Sequence, residues 1–474
     1  MMRVRLDWRR PAALALASAA LAGCAAGPDY RKPDVSMPAA WKTEAPWKPA
    51  DPSDAAPKGE WWSRFGDPQL DALQRKALAD SPTLAVASAR LAQARSALAA
   101  ASASLLPQVT LNSRDARQRI AANRPLNNYN APNFSTVQND FVLSAGASYE
   151  LDLFGRVQRA VEGAQASAEQ VQADFENVRL LLGADLAAAY VNLRTADAEI
   201  DIVSRSLALQ RRVLDLATSR HDLGATSGLD MAQQQALVDA TLTQLELLGR
   251  QRAQFENAIA TLTGTPAPSF SLPAAAGALR PPEVPIGIPS DILERRPDVA
   301  AAERAMAVAN AQIGLASAAY YPSVILSANY GDESRVLSQL FSTPSLIWSV
   351  GATLTQTLFD GGRIRANVSS ARAAHEAAAA TYRRVVLSAM QEAQDGITGM
   401  AKLEKAHAQA LKAAESASRV LDLALTRYEG GVATALDVIT AQQSLLNAER
   451  QAAQVLGQRL LASVGTIRAL GGGW

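Results

Sequence analysis

The longest hydrophobic pattern in the chain is a heptad-like repeat. From Val157 to Leu207, apolar residues recur at alternating intervals of four and three residues, with one stutter. The positions 207 residues further on, from Ile364 to Ala414, keep this spacing with smaller side chains. Such spacing predicts long helices that pack as in a coiled coil. A helix over about 156–221 would be roughly 100 Å long at 1.5 Å per residue.

Shorter helical stretches lie before and after each long one. Ala-rich runs begin at Pro82 and Pro297, and return helices are predicted over about 229–264 and 434–470. Neither long helical stretch contains a proline, which would break a helix interior. Because a short opening helix and a return helix together match the long helix in length, we expect them to stack end to end beside it. Each half would then be a helical rod with a small β-hairpin at one end.

Two segments between the helices alternate between apolar and small polar residues. They are residues 141–154 and 346–358, and each follows another strand-like run, 107–114 or 322–331. This alternation fits strands that contact lipid on one side and water on the other. Half-buried strands of a soluble sheet would show the same period, so that alternative stays open.

The alternation also assigns residues to faces. Ala147 and Ala352 fall on the apolar face, whereas Gly146 and Gly351 fall on the polar face. Four strands cannot close a barrel, and an open edge within lipid is unfavourable. Other copies of the chain must therefore complete the sheet. A cyclic trimer would supply twelve strands, and a dimer with eight is not excluded.

The two halves of the chain are related by a duplication. "VLDLATSRHDLGATSGLDM" at 213–231 is echoed by "VLDLALTRYEGGVATALDV" at 420–438. We therefore predict a mainly α protein with a membrane β part, built from a duplicated unit of long coiled-coil helices plus a β-hairpin. The predicted organisation is a signal peptide, 1–23; a lipid-anchored N-terminal segment, 24–66; a first repeat, 67–264, with a hairpin at 107–154; an equatorial linker, 265–296; a second repeat, 297–470, with a hairpin at 322–359; and a flexible tail, 471–474.

Composition narrows the class of protein. Aromatic residues make up only 5% of the 474 residues, which favours closely packed helices over bulky sheet cores. The net charge of +1 gives no footprint for nucleic acid. The three histidines, His221, His375 and His407, are far apart and lack the spacing of metal ligands. No pairing of a nucleophile with a base is visible, so we predict a protein that is not an enzyme and needs no metal or cofactor.

The single cysteine of the chain, Cys24, lies directly after a short apolar run with arginines before it. That arrangement is typical of a secretory signal, which is too short to span a membrane. The sequence Leu-Ala-Gly-Cys resembles the bacterial lipobox, which implies cleavage before Cys24 and attachment of diacylglycerol and an N-acyl chain. Ala25 follows in place of aspartate, which by the same resemblance favours the outer membrane. An ordinary signal peptide with an incidental cysteine is the alternative.

Three motifs carry a resemblance to a known family. They are "EWWSRFGDPQLDALQRKAL" at 60–78, "IPSDILERRPDVAAAE" at 288–303 and "RYEGGVATALDVITAQ" at 427–442. They resemble the TolC-like outer-membrane factor family of efflux channels, in its OprM/NodT-type lipoprotein branch. The resemblance implies a homotrimer with a 12-stranded β-barrel in the outer membrane and a periplasmic α-helical tunnel. It also implies a periplasmic adaptor protein and an inner-membrane pump as partners, and a passive exit duct for drugs or other small toxic molecules as the function.

The resemblance further assigns roles to the turns between each long helix and its return helix. These turns, Arg220 to Asp230 and Arg427 to Asp437, are expected to contact the adaptor. The contact residues would be Gly224, Asp230, Arg427 and Gly431, and the two glycines also fit tight helix-ending turns.

The resemblance places the channel gate at the second turn. Three copies of Asp437 would form an acidic constriction that favours cations, although Asp437 is also suited to cap its helix. Tyr428 is expected to help hold the gate closed, or else to be an ordinary seam residue. A second gate aspartate of some relatives falls on Thr440, which puts a double acidic ring in doubt.

Two other functions remain as alternatives. A periplasmic adaptor lipoprotein would link a pump to a channel, but it should show one helical hairpin between split β-domains. An enzyme would need a catalytic cluster. The paired helical hairpins and the paired strand segments favour the outer-membrane channel.

Overall fold

The computed structural model describes residues 26–31, 59–123, 135–224, 227–275, 279–283 and 295–472. The predicted signal peptide and most of the predicted N-terminal segment, including Cys24, lie outside the described residues. Within the predicted linker, residues 276–278 and 284–294 also lie outside them.

The helices of the two halves match in length. Helix α1 covers Pro68–Asp80. The paired helices are α2 (Pro82–Ala103) and α5 (Pro297–Ala318), with 22 residues each; α3 (Arg156–Asp222) and α6 (Arg363–Glu429), with 67 each; and α4 (Gly228–Leu262) and α7 (Ala435–Ala469), with 35 each. None of the predicted heptad-seam residues of α3 or α6 is exposed. The helical part of the duplication is therefore confirmed helix by helix.

The chain forms two compact units. The first is formed by the described residues within 1–33, 92–170 and 303–381, and the second by those within 34–91, 171–302 and 382–474. All strands of the described residues belong to the first unit, and the largest hydrophobic cluster belongs to the second.

The sheet of the first unit has four antiparallel strands in chain order. They are β1 (Gln108–Ile120), β2 (Thr136–Leu151), β3 (Ser323–Ser334) and β4 (Leu346–Thr355). Strand β1 extends six residues beyond the predicted run, which ends at 114, because it pairs with β2 as far as Ile120 opposite Thr136. Backbone pairing thus continues where the side-chain pattern ends.

Pairing brings like residues to the same face of the sheet. Val109 lies opposite Ala147, and Leu326 lies opposite Ala352, so apolar residues share one face. That face is open to solvent in the single chain: Val350 is 78% exposed and Trp348 is 71% exposed. The other face carries small polar residues and glycine, as the alternation predicts.

None of the helices in the described part of the chain combines the length and the hydropathy needed to cross a membrane.

The return helices end against the beginnings of the opening helices. Gly264 (φ +68°) follows the end of helix α4, and a Cβ added there would collide with the carbonyl group of Asp80, beside the start of α2. Gly471 (φ +87°) follows the end of helix α7, and a Cβ added there would lie 2.8 Å from the carbonyl oxygen of Arg295, beside the start of α5. Both ends form the turn that glycine completes at helix C-termini. The expected end-to-end junctions are present in both halves.

The final glycines correct one expectation. We predicted a flexible tail at 471–474, but Gly471 and Gly472 are buried. An added Cβ at Gly472 would lie 2.6 Å from Leu180 Cδ1. Gly471 and Gly472 pack closely because they follow the end of α7 directly, and Gly472 lies against Leu180 and Trp61. Residues 473 and 474 lie outside the described residues.

Arg296 fastens the junction of the second half. This guanidinium is buried and donates to the carbonyl oxygen of Ala469 at 3.1 Å. It also pairs with Asp298 at 2.6 Å and with Glu392 at 3.0 Å. A cation at the C-terminal end of α7 opposes the partial negative charge of that helix end. The Arg-Pro-Asp sequence at 296–298 therefore stabilises the junction between the end of α7 and the start of α5.

The aromatic motif near the N-terminus supplies the largest hydrophobic cluster. Trp61, Trp62 and Phe65 are buried in it with side chains of α1, α3, α4 and α7. Asp67 caps α1 by accepting the backbone N–H of Gln69 at 2.8 Å, and it also accepts the hydroxyl of Tyr190 at 2.6 Å. The cap thereby ties α1 to the long helix α3.

Helix packing in the second unit predicts opposite effects of two nearby glycine substitutions. A Cβ added at Gly396 would lie 2.5 Å from Thr466 Oγ1, whereas one at Gly399 would meet Ala462 Cβ at 4.0 Å. Gly396→Ala should therefore destabilise the protein by about 1–3 kcal/mol through overpacking. Gly399→Ala should stabilise α6 by up to about 1 kcal/mol, because alanine is the better helix former.

Thermal unfolding of both variants, followed by circular dichroism in detergent, tests this. Equal transition temperatures for the two variants would contradict the close contact between α6 and α7.

Candidate functional site

The turn after α6 is built by glycine. Gly431 has φ +74°, and its N–H donates to the carbonyl oxygen of Tyr428 at 2.9 Å. The N–H of Val432 reaches back to the carbonyl oxygen of Arg427 at 2.8 Å. These two bonds satisfy carbonyl groups that the helix end would leave unpaired. Arg427, Gly431 and Val432 are exposed, so this turn presents its surface to solvent.

Helix α7 begins with a reciprocal cap. Thr434 Oγ1 accepts the N–H of Asp437 at 3.4 Å, and Asp437 Oδ2 accepts the N–H of Thr434 at 2.9 Å. The Thr434 hydroxyl also donates to Asp437 Oδ2 at 2.8 Å. The cap residue is thus Thr434, and Asp437 supports it from the first turn. Hydrogen bonds from Thr434, with a contribution from the charge of Arg427, lower the pKa of the exposed Asp437 carboxyl.

The turn after α3 has the same glycine but a simpler cap. Gly224 also has φ +74°, and its N–H donates to the carbonyl oxygen of His221 at 2.8 Å. Ser227 precedes α4 but makes no side-chain capping bond. Asp230 lies in the first turn of α4 and is half-buried. Residues 225 and 226 lie outside the described residues. The two duplicated turns therefore differ mainly in the Thr434–Asp437 cap.

Arg220 joins the two turns. Its guanidinium donates to the carbonyl oxygens of Tyr428 and Glu429, each at 3.1 Å. It also lies over the Tyr428 ring, with 4.6 Å from Cζ to the ring centroid. Tyr428 is 3% exposed, and its hydroxyl has no hydrogen-bond partner among the described residues. Arg220 thus clamps the last turn of α6 to the last turn of α3, by binding two backbone carbonyl groups and one aromatic ring of α6.

Sequence reasoning identified Tyr428 but not its partner. Arg220 occupies the position of Arg427 in the first repeat, and a cation in the last turn of a helix was the available signal. That signal predicts an arginine bound to carbonyl groups, but not which helix supplies them.

A layer of buried glutamines lies behind the turns. Gln210, Gln234 and Gln442 come from α3, α4 and α7, and each is at most 1% exposed. Gln234 Nε2 donates to the carbonyl oxygen of Gln210 at 3.0 Å and to Gln442 Oε1 at 3.3 Å. Polar groups at such seam positions fix the register of packed helices. The heptad pattern alone did not single out these residues.

A polar cluster in the first unit holds the segment that begins at Ala26. The buried side chain of Arg159 donates to the carbonyl oxygen of Ala26 at 3.3 Å and to Asp29 Oδ1 at 2.9 Å. The N–H of Ala26 donates to the carbonyl oxygen of Phe154 at 3.0 Å, just after β2. Asn310 Nδ2 binds the carbonyl oxygen of Pro28 at 2.9 Å. Residues 26–29 are therefore fixed beside the ends of the strands.

No group of three or more His, Cys, Asp or Glu side chains is placed to hold a metal ion within the described ranges. The candidate functional features are thus the two inter-helical turns, the Arg220 clamp between them and the anchored segment 26–29.

Comparison with known proteins decides the family. The family model described as "Outer membrane efflux protein" matches residues 73–265 and 288–472, which is most of the chain. The chain belongs to the outer membrane efflux protein family. It is therefore an outer-membrane channel of an efflux pump, and the predictions of a channel and of a protein that is not an enzyme are confirmed. Family membership also excludes the adaptor alternative.

Individual relatives cover almost the whole chain. The chain is 32% identical over 455 residues to the pyoverdine export outer membrane protein OpmQ of Pseudomonas aeruginosa, covering 96% of this chain and 95% of OpmQ. It is 30% identical over 467 residues to the antibiotic efflux pump outer membrane protein ArpC of Pseudomonas putida, covering 97% and 95%. The solved outer-membrane channel OprN is 30% identical with a TM-score of 0.87, covering 95% of this chain and all of that chain.

The clamp between the turns yields a prediction. Arg220→Leu should weaken the hold on the end of α6 by about 1 kcal/mol, since it removes a cation–π contact and a cation at a helix C-terminus. Amide hydrogen exchange near Tyr428 should then be roughly fivefold faster. Arg220→Lys should fall between this variant and the wild type, because lysine lacks the planar fork.

The matched control is Arg212→Leu, which changes an exposed arginine on the same helix. Equal acceleration in Arg212→Leu and Arg220→Leu would show that Arg220 does not clamp α6.

Proposed function

We propose that three copies of this chain form a passive exit duct for drugs or other small toxic molecules. The four-stranded sheet is the main support for this proposal. Its apolar face is exposed to solvent, and its outer strands β1 and β4 each have one unpaired edge among the described residues. Such edges are unfavourable within lipid and must pair with another copy. Three copies would give a closed barrel of twelve strands, an even number as in bacterial outer-membrane proteins.

Heat-sensitive migration of an oligomer in gels, combined with outer-membrane fractionation, tests this proposal. A trimer that dissociates on heating and fractionates with the outer membrane is expected. A species of two copies would support the eight-stranded alternative, and a soluble monomer would refute the duct.

The helices support a periplasmic tunnel that pairs with other proteins. A periplasmic adaptor would contact the exposed turns at Gly224, Asp230, Arg427 and Gly431, and an inner-membrane pump would supply the cargo. The names of OpmQ and ArpC refer to different cargo, pyoverdine and antibiotics. The choice of cargo therefore belongs, in this proposal, to the pump and not to the channel.

The gate would lie at the second turn. Asp437 is exposed, ionised at neutral pH and held in place by Thr434, so three copies around an axis would form a ring of negative charge. Tyr428 would keep the turn closed through its contacts with Arg220. Asp437 can serve both as part of the helix cap and as the gate, because only one of its oxygens is bonded to Thr434.

The anchor would be lipid on Cys24, with diacylglycerol and an N-acyl chain. Cys24 itself lies outside the described residues, but it comes two residues before Ala26, which is fixed beside the ends of the strands. Lipid at this position would enter the membrane near the ends of the strands. Several acyl chains together give stable anchoring, which one chain does not.

The anchor proposal predicts the effect of one substitution. Cys24→Ser should abolish incorporation of labelled palmitate, because the thiol is the attachment atom and a hydroxyl cannot form the thioether. Ala25→Ser is the matched control, since it changes the neighbouring residue, leaves the thiol in place and should keep the label. Continued labelling of the Cys24→Ser protein would refute the lipoprotein assignment, whereas trimer formation is expected to survive.

The gate proposal predicts a change in cation block. Asp437→Ala should weaken block by trivalent cations added from the periplasmic side of a planar bilayer, because the ring of carboxylates is lost. Protonation removes the negative charge of the ring, so wild-type block should also weaken as the pH falls through the pKa of Asp437. Hydrogen bonds from Thr434 lower that pKa within one copy, whereas the carboxylates of the other two copies would raise it.

Asp230→Ala is the matched control and should change the block much less. Thr440→Asp should strengthen the block by adding charge one turn away. If wild type and Asp437→Ala are blocked equally, Asp437 serves only the helix cap and the gate must lie elsewhere on the turn.

A further inference from the structure

An aromatic stack joins the two hairpins of the chain. Phe154 follows β2 and Tyr321 precedes β3, and their rings lie 4.8 Å apart and within 13° of parallel. Strands β2 and β3 pair along their length, so the stack continues this pairing beyond the end of the sheet. Both residues belong to the first unit.

The duplication supplies a second set of the same positions. Leu-Phe at 153–154 recurs as Leu-Phe at 358–359, after β4. Tyr-Tyr-Pro at 320–322 corresponds to Leu-Leu-Pro at 105–107, before β1. The residues equivalent to Phe154 and Tyr321 are therefore Phe359 and Leu106.

The side chains of these equivalent residues are exposed in the single chain. Phe359 is 91% exposed and Leu106 is 68% exposed. They lie beside β4 and β1, the two outer strands of the sheet, and so cannot meet each other as Phe154 and Tyr321 do. Burying an aromatic side chain is strongly favourable, so this exposure marks a surface that fits a partner.

The equivalent contact within the chain favours a protein partner over lipid. Phe359 lies beyond the end of β4 and Leu106 lies before the start of β1, just as Phe154 lies beyond β2 and Tyr321 lies before β3. At those equivalent positions the two aromatic rings contact each other. In a closed barrel β4 of one copy would pair with β1 of the next, which would bring Phe359 and Leu106 into the same relation.

We propose that Phe359 of one copy packs against Leu106 of the next copy. This contact would repeat between copies the stack that Phe154 and Tyr321 make within one copy. The inference rests on the proposed trimer and names the residues that join its copies at the ends of the strands. A heterologous contact of this kind closes into a ring of three when each copy is related to the next by a third of a turn about one axis, with no shift along that axis.

The test is site-directed cross-linking in the full-length protein. Phe359→Cys and Leu106→Cys are combined in one chain and treated with a short bifunctional thiol reagent. Cross-linked dimers and trimers are expected in denaturing gels, and neither single variant should give them. Cys24 is the sole native cysteine, so the background is a single residue and is measured in the parent protein.

Phe154→Cys with Tyr321→Cys is the matched control, and its cross-link should leave the protein at monomer mass. A photoreactive phenylalanine analogue at position 359 identifies the occupant directly. Adducts should form with the region around residue 106 of a second copy. Adducts with lipid or with another protein would overturn the inference.

Two kinds of failure are distinguishable. A heat-sensitive trimer that gives no cross-link between positions 106 and 359 refutes this contact and leaves the exit duct intact. Absence of any trimer refutes the duct itself. Because Phe359 is so exposed in the single chain, its substitution should not disturb the fold of the monomer.

Discussion

The structure depends on partners for the backbone N–H and carbonyl groups at the helix ends, where a return helix meets an opening helix. Each return helix ends where an opening helix begins, and each such end leaves carbonyl and N–H groups that need partners. Gly264 and Gly471 solve this in the same way, with a left-handed turn that an added Cβ would obstruct. Arg296 adds a buried cation that binds the end of α7 and the start of α5 together. The motifs that carry the family resemblance are largely these junctions and turns.

The duplicated turns show how one repeat acquires a distinct role. Gly224 and Gly431 have the same positive φ, so both turns have the same basic geometry. The second turn has in addition a reciprocal cap that holds an ionised carboxylate at an exposed position. Arg220 of the first turn then binds the helix end of the second. A change at one turn is therefore felt at the other through a direct contact.

The sheet shows the opposite situation, in which a single chain leaves its interactions incomplete. Strands β2 and β3 complete each other within the chain, and the Phe154–Tyr321 stack continues their pairing. Strands β1 and β4 have the same chemistry but no neighbour on one side within the described residues. The β2–β3 contact within one chain is therefore a template for the contact that β4 of one copy must form with β1 of another.

The periodic features of this protein could be predicted from its amino-acid sequence. Heptad spacing and the absence of proline set the long helices almost to their ends, and strict alternation set the two faces of the sheet, because both patterns are local. The turn glycines were also predictable, since few other residues adopt positive φ. The packing of the helices was needed to identify the partners of Arg159, Arg220 and Arg296, the buried glutamine layer and the burial of Gly471. These depend on which groups meet across different helices, and an arginine binds a carbonyl oxygen equally well from any of them.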